Sequence, residues 1–376
     1  MNRLTRRALA AATGAAVACT VATAVAAAPA DATTRGAALT SSRHHAPTVK
    51  VLDSTLGAPY QLDAARGAIY IGDGGLSKVL KYSHGRLSTV TSVTGGGDVS
   101  GVAINKRGDL AYTTTVGDEN GISASGLVIK PKHGAAITVD TKAFENAHNP
   151  DAGVTYGIDN PTQCQQDAFA PLGGANYPGI ADSHAYAVTD YGRDAWLVAD
   201  AGGNDILKVD RRGHISVVAV LPRQATTITA DAAAGLGLPD CVVGAVYNFE
   251  AVPTDVEVGP HGKLIVSLLP GGPEDPSLGA RGAVYSVNPW NGHAHRLAGG
   301  FLGATNVAVG PRGRIYVAEL FAGQVSVIDH GSVSKYVDLP GALSLVWSKG
   351  GLYAGTLGPT DENGAPTGPG TLVRIS

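Results

Sequence analysis

Charge is scarce in this chain. Lys, Arg, Asp and Glu make up 16% of its 376 residues, against ~25% in an ordinary globular protein. The balance is slightly acidic, with a formal net charge of −3. That leaves no basic face for nucleic acid and excludes that class of partner. Aromatic residues are few at 6%, Met occurs once and Cys three times. An apolar run long enough to cross a bilayer occurs only near the N-terminus, so no membrane insertion is expected of the remainder. No Gly-x-Ser-x-Gly elbow, Walker loop or His-Glu-x-x-His pattern is present, which removes the commonest nucleophile, phosphate and zinc signatures. What abounds is glycine (51) and proline (21), together with Val, Ile and Thr. Those residues suit a turn-rich β protein and not a helical bundle.

Arg3, Arg6 and Arg7 precede an apolar stretch from Ala8 to Ala28, and Ala30-Asp31-Ala32 is a small-x-small cleavage site. The pattern predicts a signal peptide over residues 1–32 and a secreted, extracellular protein. Thr5-Arg6-Arg7-Ala8-Leu9 is similar to the twin-arginine consensus; an ordinary Sec signal with two adjacent arginines is the other reading. Residues 33–47 lack periodicity and are expected to form a flexible leader. Once Cys19 leaves with the signal, Cys164 and Cys241 remain, and in an exported chain they are most simply one disulfide. A free thiol pair or a metal site is the lesser reading, since no His lies near either in sequence.

An internal repeat sets the architecture. Thr254 to Val266 and Thr305 to Val317 share a period-2 strand, a Gly-Pro-x-Gly turn and a second strand. Related hairpins recur at Leu62 to Ile71, Gly101 to Leu110, Tyr186 to Val198 and Ser344 to Ala354. Each is followed by a third strand, such as Lys78 to Tyr82 or Asp205 to Asp210. Most have a fourth, such as His214 to Leu221. Six four-stranded units of ~40–50 residues predict an all-β fold, a six-bladed β-propeller. The last unit, ending at Gly370 to Ile375, lacks a fourth strand, and Thr48 to Leu52 is an orphan before the first unit. That N-terminal strand should complete the last blade and close the ring, leaving no exposed sheet edge. Residues 48–376 are then a single domain, although length alone would allow two. Its insertions lie at about 140–179 and 222–253.

Trp196-Leu197-Val198-Ala199-Asp200 running to Asn204-Asp205-Ile206 resembles the NHL-repeat signature, with weaker copies at Ile69 to Asp73 and Ile315 to Glu319. Asn149-Pro150-Asp151, Asp182 to Tyr186, the Asp200 segment and Val246 to Pro253 make the chain similar to the ScyD/ScyE family of secreted propellers, named for scytonemin pigment gene clusters. The resemblance spans nearly all of the mature chain and implies the propeller fold but no catalytic residues. The chain departs from the family pattern at His184-Ala185, where Asn-Pro is expected.

In a propeller the long loops gather on one face, around the central tunnel. Here Val116 to Ser125, Pro270 to Arg281, Gly358 to Pro369 and both insertions are expected there, with the disulfide joining the insertions. Three of the loops hold adjacent acids, Asp118-Glu119, Glu274-Asp275 and Asp361-Glu362. They read either as an acidic rim that attracts a cation or basic partner, or as ordinary turn chemistry. Asp118-x-Asn120 lacks the Glu an EF-hand requires. Inner strands begin at Tyr60, Gly101, His184 or Ala185, Asp255, Asn306 and Ser344. Asp182, His184, Asp255 and Asn306 are therefore the candidate ligand-binding residues. Asp255 and Asn306 are the only good oxygen ligands at tunnel positions, too few for a firm metal site. No cofactor is predicted, and Ca²⁺ is the ion their oxygens would take. Their simpler role is hydrogen bonding between strands. Asp73, Asp200 and Glu319, at the ends of second strands, are expected to fix the following turn. His293-x-His295 has no third ligand. The functional expectation is an exported, monomeric binding or interaction propeller, with a binding role favoured over an enzymatic one. It would hold an unidentified small molecule or extracellular protein on the loop-rich face. A metal-dependent hydrolase or lactonase of the six-bladed type is the alternative.

Overall fold

The structure, a computed structural model, describes residues 46–95, 97–118, 121–273, 276–361 and 367–376. The expected signal peptide and most of the expected leader lie outside the described residues, as do Glu119, Asn120, Glu274, Asp275 and Glu362 of the acidic loops.

The described residues form seven four-stranded antiparallel sheets. Six follow the repeat, and five of these run from inner to outer strand in chain order. Their inner strands are Pro59–Ala65, Val102–Ile104, Ala185–Tyr191, Pro253–Val258, Ala304–Val309 and Ala342–Ser348. In the sixth sheet the fourth strand comes from the other end of the chain. Val49–Leu56 pairs with Gly370–Ile375, with Val49 opposite Ile375 and Val51 opposite Val373. Thr48 and Ser376 continue the ladder through reciprocal backbone bonds of 2.8 and 3.1 Å.

Local chemistry explains the hairpins. In the fourth and fifth sheets the Gly-Pro-x-Gly turn places His261 (φ 58°) and Arg312 (φ 59°) in the left-handed region, each followed by a glycine at φ 71° or 76°. Two successive left-handed residues reverse the chain tightly, and the second is tolerated because glycine has no Cβ. The flanking strands alternate small and branched apolar residues, so both faces of each sheet can be buried. Each face packs on its neighbour. Val188 and Val198 of the third sheet meet Ala103 and Leu127 of the second, while Leu197 and Ala199 meet Val256 and Val266 of the fourth. At the chain ends, Leu62 and Ile71 of the first sheet pack on Val346 and Leu372 of the sixth. Each inner strand lies beside the next, and Ala342–Ser348 lies beside Pro59–Ala65.

The seventh sheet has no counterpart in the repeat. The two insertions supply it: Asn176–Pro178 and Thr155–Ile158 from one, Val246–Phe249 and Gln224–Thr227 from the other. Helices Gln163–Phe169 and Ala230–Gly235 pack on it, with a core of its own around Phe169, Val242 and Tyr247, whereas helix Thr141–His148 packs on Gly121–Lys130 of the second sheet. Cys164 and Cys241 are disulfide-bonded across this module, joining the two insertions. Val116 to Ser125 is not a loop throughout. Its described residues extend the strands Leu110–Asp118 and Gly121–Lys130, because β-branched Thr113 to Val116 continue the strand pattern past the repeat's usual end.

Candidate functional site

Four side chains tie the inner strands together. Gln61, 3% exposed, accepts at Oε1 from Val102 N of the second sheet (2.8 Å) and Val188 N of the third (3.0 Å). Its Nε2 donates to Asp255 Oδ1 of the fourth sheet at 3.0 Å. Asp255 also accepts from Val256 N (2.9 Å) and, at Oδ2, from Val307 N of the fifth sheet (3.1 Å). Asn306 Oδ1 accepts from Leu345 N of the sixth at 2.8 Å. Ser344 Oγ then donates to Pro59 O of the first at 2.6 Å. One polar chain thus touches all six repeat sheets. Burial pushes the Asp255 carboxyl up, and its three donors oppose the shift. The sequence marked Asp255 and Asn306, and the structure places them in this network with Asn306 Nδ2 left unpartnered. Sequence reasoning missed Gln61, since a lone Gln in a strand carries no signal.

Toward one end of this network stand carboxylates. Asp63 accepts from Ile104 N at 2.6 Å, and burial raises its carboxyl to about 7. Glu257, on the inner strand of the fourth sheet, is pushed well up by burial and by Asp255, Asp63 and Asp190. At the other end, where inner strands begin, three half-buried rings meet edge to face. His184 and Tyr186 lie 5.5 Å apart, and Tyr186 and Tyr60 lie 5.7 Å apart. Burial, then Asp98 and Asp73, raises the Tyr60 hydroxyl to about 12. Asp182, two residues before His184, accepts from Ser183 N (3.0 Å) and lies 3.7 Å from Lys142 Nζ. Asp182 and His184 therefore sit together beside the rings, whereas Asp255 and Asn306 sit deeper in the inter-sheet network.

The acids at the ends of second strands bind turns. Asp73 accepts from Gly57, Ala58 and Leu76 N at 2.9 to 3.1 Å. Asp200 accepts from His184 N (2.6 Å), Gly203 N (3.1 Å) and Ser183 Oγ (2.6 Å). Glu319 accepts from Leu302 N at 2.8 Å. Each anchors the start of its sheet's inner strand, which is why the acid recurs in the repeat. Asp200 also supports the backbone that presents His184.

No family model matches the chain, and no curated protein matches it either. Solved structures do. The aldose sugar dehydrogenase of Streptomyces coelicolor, in its PQQ-bound form, superposes with a TM-score of 0.53 at 13% identity, covering 88% of this chain and 98% of that one. A putative oxidoreductase of Thermus thermophilus, described as a glucose dehydrogenase, gives 0.50 at 16% identity, covering 88% and 100%. The chain has the β-propeller fold. The virginiamycin B lyase of Staphylococcus aureus gives 0.46 at 12% identity, covering 88% and 98%. The two dehydrogenases are propeller-type enzymes, and at such identities the likeness to them is one of fold. Among the described residues of this propeller no helix is long and apolar enough to cross a membrane. No group of three His, Cys, Asp or Glu among them is placed to hold a metal.

Proposed function

We propose that the chain is an exported six-bladed propeller of the NHL-like, ScyD/ScyE type, closed by its N-terminal strand. Its ligand sits where the inner strands begin, against the rings of His184, Tyr186 and Tyr60, and is a small molecule carrying positive charge. The edge-to-face run of these half-buried rings beside carboxylates carries the reading. Aromatic faces and acids together favour a cation over a neutral or anionic ligand. Asp255 and Asn306 act beneath this site by fixing the strands that frame it.

Choline and its uncharged isostere 3,3-dimethylbutanol test the proposal by calorimetric titration of the mature chain. Choline should bind more tightly, and Tyr186→Ala should weaken it by about tenfold, the scale of a partly desolvated cation–π contact. Equal binding of the two probes, or an unaffected Tyr186→Ala, defeats the reading. A second reading, a metal-dependent hydrolase or lactonase, draws from the enzymes among the structural neighbours only their propeller scaffold, since those are dehydrogenases. Turnover of a simple δ-lactone that needs added Ca²⁺ and is lost in His184→Ala would favour it.

A further inference from the structure

A second set of carboxylates lies on the far side of Asp200 from His184, where the first insertion meets the third sheet. Helix Thr141–His148 carries Glu145, which is 0% exposed. Neither of its carboxylate oxygens has a hydrogen-bond partner. Asp205, at the start of the strand Asp205–Asp210, is also 0% exposed with both oxygens unpartnered. The two acids converge: a Cβ placed on Gly203 would stand 2.8 Å from Glu145 Oε1 and 3.5 Å from Asp205 Oδ1. Asp151, 1% exposed, is the third. Its Oδ2 accepts from Tyr156 OH (2.9 Å) and Asn204 Nδ2 (3.1 Å), and its Oδ1 has no partner. Asn149 Oδ1, on the turn between Glu145 and Asp151, is unpartnered too. Asp200 alone in this group is fully supplied with donors.

Buried carboxylates without donors are among the costliest groups a fold can carry. The charged groups acting on Glu145 are Asp200, Asp151 and Asp182, and those acting on Asp205 are Asp200, Glu145 and Asp151. All are acids. Burial and this mutual repulsion raise Glu145 to about 8 and push Asp205 well up. Lys142, on the same helix, is turned to Asp182. The cluster lacks positive charge that it must obtain from a proton or a cation.

We propose that Glu145, Asp205 and Asp151 bind a hard divalent cation, Ca²⁺, which clamps the first insertion to the third sheet. The donor set is oxygen only, which selects Ca²⁺ or Mg²⁺ over softer metals. Ca²⁺ accepts irregular sites of six to eight oxygens, which Asn149 Oδ1, backbone carbonyls and water complete. The side chains do not yet stand at finished ligand spacing. Binding therefore draws Glu145 and Asp205 inward across the space that Gly203 leaves open.

The experiment is calorimetric titration and thermal melting of the mature chain, stripped with chelator, using CaCl₂ alone. One Ca²⁺ should bind in the range of about 10⁻⁷–10⁻³ M seen across sensor and extracellular sites and raise the melting temperature. Glu145→Gln and Asp205→Asn should each weaken binding by about 100-fold and abolish the rise. Tb³⁺ luminescence excited through Tyr156 and displaced by Ca²⁺ reports the site in the unaltered chain, should either variant fail to fold. No Ca²⁺ response up to about 10 mM, or a response that persists in the double variant, overturns the proposal. So does an equal response to MgCl₂. Variants more stable than a Ca²⁺-indifferent parent would show that the cluster holds protons only.

Discussion

Replacing Gln61 by alanine tests whether the polar network holds the sheets together. The change removes an acceptor shared by Val102 N and Val188 N and the donor to Asp255 Oδ1. Asp255 Oδ1 keeps Val256 N, so the principal loss is two buried N–H groups left without acceptors. At about 1–3 kcal/mol each, the total is about 2–6 kcal/mol, and water entering the vacated space offsets part of it. Urea unfolding of parent and variant measures the difference, provided the m-values agree. Gln61→Glu keeps an acceptor but brings a carboxyl to Asp255, so its cost should be larger near pH 8 than near pH 5, where the pair can share a proton. A Gln61→Ala difference within about 0.5 kcal/mol, the scale of an ordinary surface substitution, would refute the reasoning.

Three further outcomes are expected. Burial raises the carboxyls of Asp63 to about 7, Asp200 to about 6 and Glu250 to about 8. The folded chain then binds more protons than the unfolded one between about pH 4 and pH 8, and stability falls as pH rises through that window. The lowered carboxyls Asp159, Asp210 and Asp329 act in the opposite sense but lie near the surface, where solvent screens them. Melting in chelator should therefore be higher near pH 5.5 than near pH 8.5, and a flat or rising profile would count against the buried acids. Deleting residues through 45 should leave the melting temperature unchanged, whereas deletion through Leu56 strips the partner of Gly370–Ile375 and should lower it by at least about 5 °C; equal melting of both truncations would show that this strand does not close the sheet. Reducing Cys164–Cys241, which spans 77 residues, removes up to about 4–5 kcal/mol of chain-entropy restraint. Limited proteolysis should then cut the insertions before the repeat sheets, and unchanged cleavage on reduction would place the restraint elsewhere.

The repeat was legible in the chain because its signals are local. Period-2 alternation and the Gly-Pro-x-Gly turn act over a dozen residues, and the predicted hairpin at Thr254 to Val266 lands on Pro253–Val258 and Leu264–Leu268. The orphan N-terminal strand and the two cysteines outside the expected signal peptide were readable by elimination, one missing strand and one remaining pair, and both partnerships stand in the structure. The seventh sheet was not legible. Its strands are three or four residues long, too short for periodicity, and they pair across segments far apart in sequence. Gln61 gained its place only when three neighbouring inner strands brought two N–H groups and a carboxylate to one amide. Glu145, Asp151 and Asp205 come from a helix, a turn and a strand start; Asp151 and Asp205 fall in motifs that point to the fold, and nothing in the sequence joins the three into one cluster. The burial of Glu145 and Asp205 without donors, and of Asp151 with one oxygen unpartnered, arises only from docking the insertion on the third sheet. Local backbone preference writes the blades, whereas the sites depend on which polar groups long-range packing removes from water.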